Sequence, residues 1–287
     1  FMIWTKRRLL IAVAMSDTLT SKRFFELYER LNEDVSLNDT FVLGDLKYAL
    51  PEETSQWIES MDWDVEIKRL QEKRVKVLTV LDGGYPQRLK EIYLPPIVLF
   101  YKGELSLLNE RLVALVGSRE HSNYAKQCTK TIVQDLVQKK IGIISGLAKG
   151  VDSLAHLECL KGDGKTIAVI GSGLDVVYPP ENANLYKEIG EKGLIISEYP
   201  LGSRPLKFHF PERNRIIAGL CRGVIVAEAK MRSGSLITCE RAMEEGRDVF
   251  AIPGSILDGR SDGCHHLIQE GAKLATCGQD ILAEFEF

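Results

Sequence analysis

Seven basic side chains crowd into residues 204–232: Arg204, Lys207, Arg213, Arg215, Arg222, Lys230 and Arg232. Only Glu212 and Glu228 oppose them, a local charge of +5. Residues 233–287 hold 4 basic against 10 acidic side chains, so a negative stretch follows the positive one. Such clustering aims an anion at one place even though the whole chain carries −3. Inside the block, Lys207-Phe208-His209-Phe210-Pro211-Glu212-Arg213-Asn214-Arg215 interleaves rings with cations. Cations hold phosphates, and rings stack on unpaired bases for ~1–3 kcal/mol each. The chemistry that suits this pattern is the binding of a single-stranded nucleic acid. The competing arrangement is a solvated charged loop with Phe208 and Phe210 in the core.

A second pattern is glycine placed just after short apolar runs. Gly117-Ser118-Arg119, Ser145-Gly146-Leu147-Ala148-Lys149-Gly150, Gly171-Ser172-Gly173 and Pro253-Gly254-Ser255 all stand there. In open α/β sheets ligands bind at the carboxyl ends of strands. Glycine there lets backbone N–H groups approach an anion, and the following helix adds its positive end. A row of such turns suits several phosphates better than one. The plainer reading is a set of tight strand-to-helix turns.

Enzyme patterns begin and then fail. Gly164-Lys165-Thr166 has the tail of a P-loop, but Cys159 stands where the first glycine belongs, and the triplet precedes an apolar run. Gly171 and Gly173 are followed by Val176 where a third dinucleotide-binding glycine would stand. His156-Leu157-Glu158 opens a zinc-deaminase signature that no P-C-x-x-C completes. There is no G-x-S-x-G elbow and no H-E-x-x-H. His265-His266 is a lone pair that fits a surface or interface better than a metal. No catalytic centre, cofactor or metal is expected.

The elements that must position these residues read as two parts. Residues 1–75 show apolar side chains at three- and four-residue spacing, with polar breaks near Ser16-Asp17, Asn38-Asp39 and Pro51-Glu52. That predicts a small helical module of four or five helices. Through residue 78 it holds 12 basic against 14 acidic side chains, so it has no basic bias. Lys6-Arg7-Arg8 before the apolar residues 9–15 imitates a signal peptide, but helical sequence follows directly, so a buried first helix is expected. A chain that opens on Phe1 is expected to start inside a longer sequence or ahead of its native start.

Beyond residue 75, short apolar runs recur at 75–80, 97–101, 112–116, 141–144, 167–170, 194–197, 224–227, 249–252 and 273–276. Helix-length stretches at 124–139, 153–161, 185–191 and 235–245 separate several of them. Runs apolar on both faces, alternating with helices, predict an α/β fold with a mostly parallel sheet covered on both sides. The chain has 287 residues, 45% hydrophobic and 27% charged, which excludes wholesale disorder and allows one large or two unequal domains. No apolar run nears the ~18 residues of a membrane span. The six cysteines (Cys128, Cys159, Cys221, Cys239, Cys264 and Cys277) include no C-x-x-C pair, so reduced thiols in a cytoplasmic protein are expected.

The motifs also occur in a recognisable order: Tyr85-Pro86 with Leu89, Gly117-Ser118-Arg119, Ser145-Gly146-x-Ala148-x-Gly150-Val151-Asp152, then Tyr178-Pro179-x-x-Asn182-x-x-Leu185. Phe210-Pro211-x-Arg213-Asn214-Arg215-Ile216-Ile217-Ala218-Gly219 follows, then Glu228-Ala229, Ser233-Gly234-Ser235-Leu236-x-Thr238 and Val249-Phe250-Ala251-Ile252-Pro253-Gly254. Over roughly 75–287 this resembles the DNA-processing protein A family, DprA or Smf. The resemblance implies an extended Rossmann-like domain at 76–287 that binds single-stranded DNA as a homodimer. It implies protection of incoming DNA and loading of the RecA recombinase during natural transformation. A sterile-alpha-motif-like helical domain at 1–75 fits similar members. The winged-helix domain of other members is expected to be absent, because the chain ends soon after its last strand. The family's DNA site carries over to Arg119, Lys207 and Arg213-Asn214-Arg215. Some relatives carry lysine after the Tyr-Pro of the Tyr178-Pro179 motif, where Pro180 and Glu181 stand here.

The full expected contact set is Gly117, Ser118, Arg119, Ser145, Gly146, Lys149, Lys207, Phe208, Phe210, Arg213, Asn214, Arg215, Ser233, Gly234 and Ser235. A dimer interface is expected at His265, His266, Leu267, Ile268 and Leu274. There a short helix and the edge strand after Gly271 would offer unpaired backbone to a second copy. The alternative is that the apolar members close the core of one subunit. A second function is carried by partial similarity to nucleoside-monophosphate phosphoribohydrolases, in which Ser233-Gly234-Ser235-Leu236-Ile237-Thr238-Cys239-Glu240 would stand for the motif with the catalytic acid.

Overall fold

The structure is a computed structural model that describes residues 3–33, 40–42 and 50–285. The amino-terminal part contains β1 (Ile3–Thr5), α1 (Lys6–Ser16), α2 (Ser21–Glu33), β2 (Thr40–Val42), α3 (Glu52–Ser60) and α4 (Trp63–Glu72). Thr5 Oγ1 accepts from Arg8 N at 3.1 Å and starts α1. Every side chain from Leu9 to Ala14 is buried, so α1 is the expected buried helix. α2 buries one stripe, Phe24, Leu27 and Leu31, as its spacing requires. The expectation of a purely helical segment needs one correction. β1 and β2 pair antiparallel, with Trp4 opposite Phe41. Both triplets are aromatic and β-branched, a composition that favours strands over helix. The expected break at Asn38-Asp39 lies outside the described residues.

The remainder continues with β3 (Lys76–Thr79), α5 (Gln87–Lys90), β4 (Val98–Gly103), β5 (Leu112–Val116), α6 (Asn123–Gln138), β6 (Gly142–Ser145), α7 (Val151–Lys161) and β7 (Thr166–Ile170). It ends with α8 (Ala183–Lys192), β8 (Leu194–Ser197), α9 (His209–Leu220), β9 (Gly223–Val226), α10 (Gly234–Glu244), β10 (Asp248–Ala251), α11 (Asp262–Gln269), β11 (Lys273–Leu274) and α12 (Gly278–Ala283). Among the described residues nine strands form one sheet in the order β11-β10-β9-β5-β6-β7-β8-β4-β3. β11 through β8 run parallel, β4 pairs antiparallel with β8, and β3 pairs antiparallel with β4. This is the expected mostly parallel α/β sheet, and each expected strand lies within a few residues of its observed position.

Both faces of the sheet are buried, which explains the continuous apolar strands. In β5, Leu112, Ala114 and Val116 join one core, and Val113 and Leu115 join the other. Helices α6, α7 and α12 cover the second face, with Ile132, Ala155 and Ile281 in its core. Helices α9 and α10 pack on the first. The first core continues into the amino-terminal helices through Leu9, Phe24 and Ile58. Polar contacts reinforce that junction. Arg7 Nε donates to Asp82 Oδ1 at 2.7 Å, Ser203 Oγ to Asp17 Oδ2 at 2.9 Å, and Ser21 Oγ to Glu198 Oε2 at 3.2 Å.

Helix α7 is nearly all buried, including His156. His156 Nδ1 donates to Thr166 Oγ1 at 2.7 Å, and that hydroxyl donates to Ile143 O at 2.9 Å. His156 Nε2 has no partner among the described residues. Burial, and secondarily the charge of Arg213, pulls the imidazole down to about 3. The unfolded chain takes up this proton near pH 6.5 and the folded chain does not. Stability is therefore complete above that pH and falls as pH drops. Urea unfolding is expected to show a loss of about 1.4 kcal/mol from this group between pH 7.5 and 5.5. His156→Gln should lack that component, and an equal pH response in the variant would refute the assignment.

Candidate functional site

The chain runs from β5 outward through β6 and β7 to β8, then returns to β9 on the other side of β5 and runs outward to β11. Loops after β5 and β9 must therefore diverge, and a crevice opens between them. A cleft of about 750 Å³ lies there, walled by Arg119, Lys207, Phe210, Arg213, Ser233 and Thr238. An adjoining hollow of about 250 Å³ extends to Gly146, Lys149, Gly171 and Tyr178, with Arg119 and Phe210 lining both. Arg119 and Lys207 are exposed, and neither is paired with a carboxylate among the described residues.

Much of the basic run is helix, so the competing arrangement of a charged loop does not hold there. Pro211 sits in the first turn of α9, where its missing N–H costs nothing, and Glu212 faces the positive helix end. This helix divides the positive block in space. Arg204, Lys207, Lys230 and Arg232 are exposed, whereas Arg213 and Arg215 are buried. Arg222 lies beyond α9, at the amino end of β9. Arg213 donates through Nη1 to Gly146 O at 2.6 Å and to Val169 O, and through Nε to Asn214 Oδ1 at 3.1 Å. Burial pulls this guanidinium down to about 10 and pushes the nearby Asp152 carboxyl up, and the attraction between them offsets each only in part. Arg213 and Asn214 still reach the cleft wall. Arg215 does not: it is paired with Glu198 at 2.6 Å, and their side chains are only 9% and 10% exposed.

The glycine turns are narrow mainly because protein packs against them. A Cβ on Gly117 would meet Val151 Cγ2 at 2.8 Å, and one on Gly146 would meet the Arg213 guanidinium. Several turn amides are already donated within the chain: Ser118 N to Glu228 O at 2.7 Å, Gly146 N to Asp152 Oδ2 at 3.1 Å and Gly173 N to Ser203 O at 2.9 Å. The expected row of backbone anion cradles is corrected accordingly, and the cations available to an anion are side chains. Ser145, expected as a contact, is fully buried and donates to Leu115 O at 2.6 Å. Ser118 is half-buried beside Arg119, and Ser233, Gly234 and Ser235 line the cleft at the start of α10.

The three rings of the block part company. His209 is buried, stacked on Tyr199 at 3.8 Å, and donates from Nδ1 to Gly171 O at 3.0 Å. Phe208 is exposed and lies outside the cleft lining, whereas Phe210 is half-buried in the cleft wall. Tyr178, absent from the expected contacts, joins Phe210 with ring centroids 5.7 Å apart. Its only sequence signal is the Tyr178-Pro179 motif itself. Lys149, in the hollow, is drawn to Glu181 in an exposed ion pair that raises the lysine and lowers the carboxyl.

Other expected groups sit apart. Glu240, the acid of the phosphoribohydrolase-like motif, is exposed and does not line the cleft. His265 contacts Gly254 O through Nε2 at 3.1 Å, and no group of three metal-binding side chains occurs among the described residues. β11 is an edge strand as expected, with Leu274 and His266 exposed on that side. Leu267 is a core residue of this subunit and offers nothing to a second copy, while Ile268 is only partly buried.

The family model described as DNA recombination-mediator protein A matches residues 76–286. The DNA processing protein DprA of Streptococcus pneumoniae is 66% identical over 209 residues, 73% of this chain and 74% of the relative. That of Bacillus subtilis is 42% identical over 214 residues, 74% and 72% of the two chains. The crystal structure of the Streptococcus pneumoniae protein superposes with a TM-score of 0.86 at 52% identity, over 97% of each chain. The structure of DNA processing protein A from Helicobacter pylori, described for its single-stranded DNA binding mode, gives 0.67 at 30% identity, over 74% of this chain and 95% of that one.

The anchoring of α9 is directly testable. Arg215→Met leaves Glu198 buried without its partner and is expected to cost ~3–5 kcal/mol in urea unfolding. Pairing it with Glu198→Leu removes both charges and should recover most of that loss. A double variant as unstable as the single one would show that the pair is not what holds the helix.

Proposed function

The chain belongs to the DNA recombination-mediator protein A family, and from that premise we propose that it binds single-stranded DNA, protects it and loads RecA recombinase onto it during natural transformation. The observation that carries this reading is the cleft at the strand-order reversal, where unpaired Arg119 and Lys207 stand beside the Phe210 and Tyr178 rings. Phosphates meet the cations while unpaired bases meet the rings, and a duplex hides those bases. The contacts are Gly117, Ser118, Arg119, Gly146, Lys149, Lys207, Phe210, Arg213, Asn214 and Ser233 to Ser235, with Phe208 at the outer rim.

The chain acts by binding, without turnover. It works in the cytoplasm, and no helix among the described residues is long and apolar enough to cross a membrane. We divide it into a sterile-alpha-motif-like helical domain at 1–75 and the DNA-binding domain at 76–287. A homodimer built on His265, His266, Ile268 and Leu274 at the β11 edge would let two clefts act on one strand.

Salt-dependent titrations with matched single- and double-stranded oligonucleotides test the reading. Arg119→Ala and Lys207→Ala should each weaken single-strand binding for every sequence and flatten the log-log salt slope by ~0.7. Equal affinity of folded variants and wild type, or equal affinity for blunt duplex, overturns it. Glu181→Ala frees Lys149, so single-strand affinity should rise by about two- to fivefold at low salt and converge with wild type at high salt. Weaker binding by that variant would show that Glu181 itself helps hold the strand. His266→Glu with Leu274→Glu should yield a folded monomer by light scattering, and a persistent dimer would place the interface elsewhere.

A further inference from the structure

Two aliphatic side chains stand almost wholly in solvent on the same edge of the sheet: Ile256 is 80% exposed and Leu257 is 90% exposed. They occupy the connection between β10 and α11. That connection is pinned. Tyr124 Oη donates to Pro253 O at 2.7 Å, Leu257 N to Ser255 Oγ at 3.1 Å and Arg260 N to Asp258 Oδ1 at 3.0 Å. Scattered exposed aliphatics are ordinary, but an adjacent pair on a pinned tip is apolar area that folding left uncovered.

The tip adjoins the cleft. Arg260 Nη1 donates to Glu120 O at 3.1 Å, and Glu120 follows the cleft's Arg119. The start of α11 packs on the loop after β9, because a Cβ on Gly263 would meet Ala229 O at 2.7 Å and Lys230 O at 2.8 Å. Met231, in that loop, is also exposed. The row of strand-end loops therefore continues from the cleft across β9 to β10, one further strand spacing of ~4.8 Å. Net charge does not continue with it: Lys230, Arg232 and Arg260 are equal in number to Glu120, Asp258 and Asp262. What the tip adds to the path is apolar surface.

We propose that Ile256 and Leu257 form an apolar wedge that enters between unpaired bases of a strand leaving the cleft on the β10 side and breaks their stack. The inference rests on the reading of the cleft as a single-strand site. Inserted Ile and Leu side chains unstack base steps in other nucleic-acid complexes, and a base gains from apolar contact where a phosphate does not. A single strand offers both parts at once, phosphate for Arg119 and exposed base faces for the tip.

The test uses the full chain and its Ile256→Ser, Leu257→Ser double variant with an adenine-flanked 2-aminopurine oligonucleotide, titrated across salt. Both side chains are in solvent, so the variant keeps its fold. Wild type should raise the probe's fluorescence severalfold by unstacking it. The variant should lose that rise and bind roughly tenfold more weakly, as for partial burial of two aliphatic side chains, with an unchanged salt slope. An undiminished rise and affinity in the variant overturns the wedge while leaving the cleft reading intact. A wild type without salt-dependent binding overturns the cleft reading, and the wedge with it. A variant altered only in molar mass by light scattering assigns the tip to protein contact and overturns the wedge.

Discussion

A parallel sheet covered by helices on both faces can offer ligand groups only along its strand ends. The fold depends on that constraint. β5 and β9 are neighbours whose exits are carried apart by the return of the chain, and the resulting crevice brings Arg119 and Lys207 together with Phe210. Burial on both faces drives the strand composition, and the reversal of order places the cleft.

Helix α9 acts as the keel of this arrangement. It buries two of the seven cations of its segment, while Lys207, just before it, stays exposed in the cleft wall. Arg213 is held by two backbone carbonyls from the ends of β6 and β7, so its charge is fixed in the cleft wall at a desolvation penalty that Asp152 partly offsets. A buried cation is fixed in the wall of the cleft, while Arg119 and Lys207 stay exposed along it.

The amino-terminal helices lean on the same structure from the other side. Glu198 accepts from Arg215 of α9 and from Ser21 of α2, and Asp17 accepts from Ser203 in the connection from β8 to α9. Tyr199, which follows Glu198, stacks on His209 and donates to Glu212 Oε2 at 2.8 Å. The segment between β8 and α9 therefore joins the helical part to the first turn of the helix that carries the cleft wall.

Much of this was legible in the residues. Apolar runs two faces deep specify a covered parallel sheet, Gly117-Ser118-Arg119 after such a run marks a strand-end turn, and the motif order carries the family. Those signals are local, and strand periodicity and turn chemistry are local physics. The β1–β2 ribbon escaped because two triplets far apart in the chain carry too little pattern to predict their pairing. The fate of Arg213, Arg215 and His209 also escaped. Their types promise exposure, and only tertiary packing supplied the carbonyls of Gly146 and Val169, the Glu198 carboxylate and the Tyr199 ring that make burial affordable. Sequence records which groups carry charge. Whether a charge faces solvent or a buried partner depends on groups tens of residues away, and that the tertiary structure alone decides.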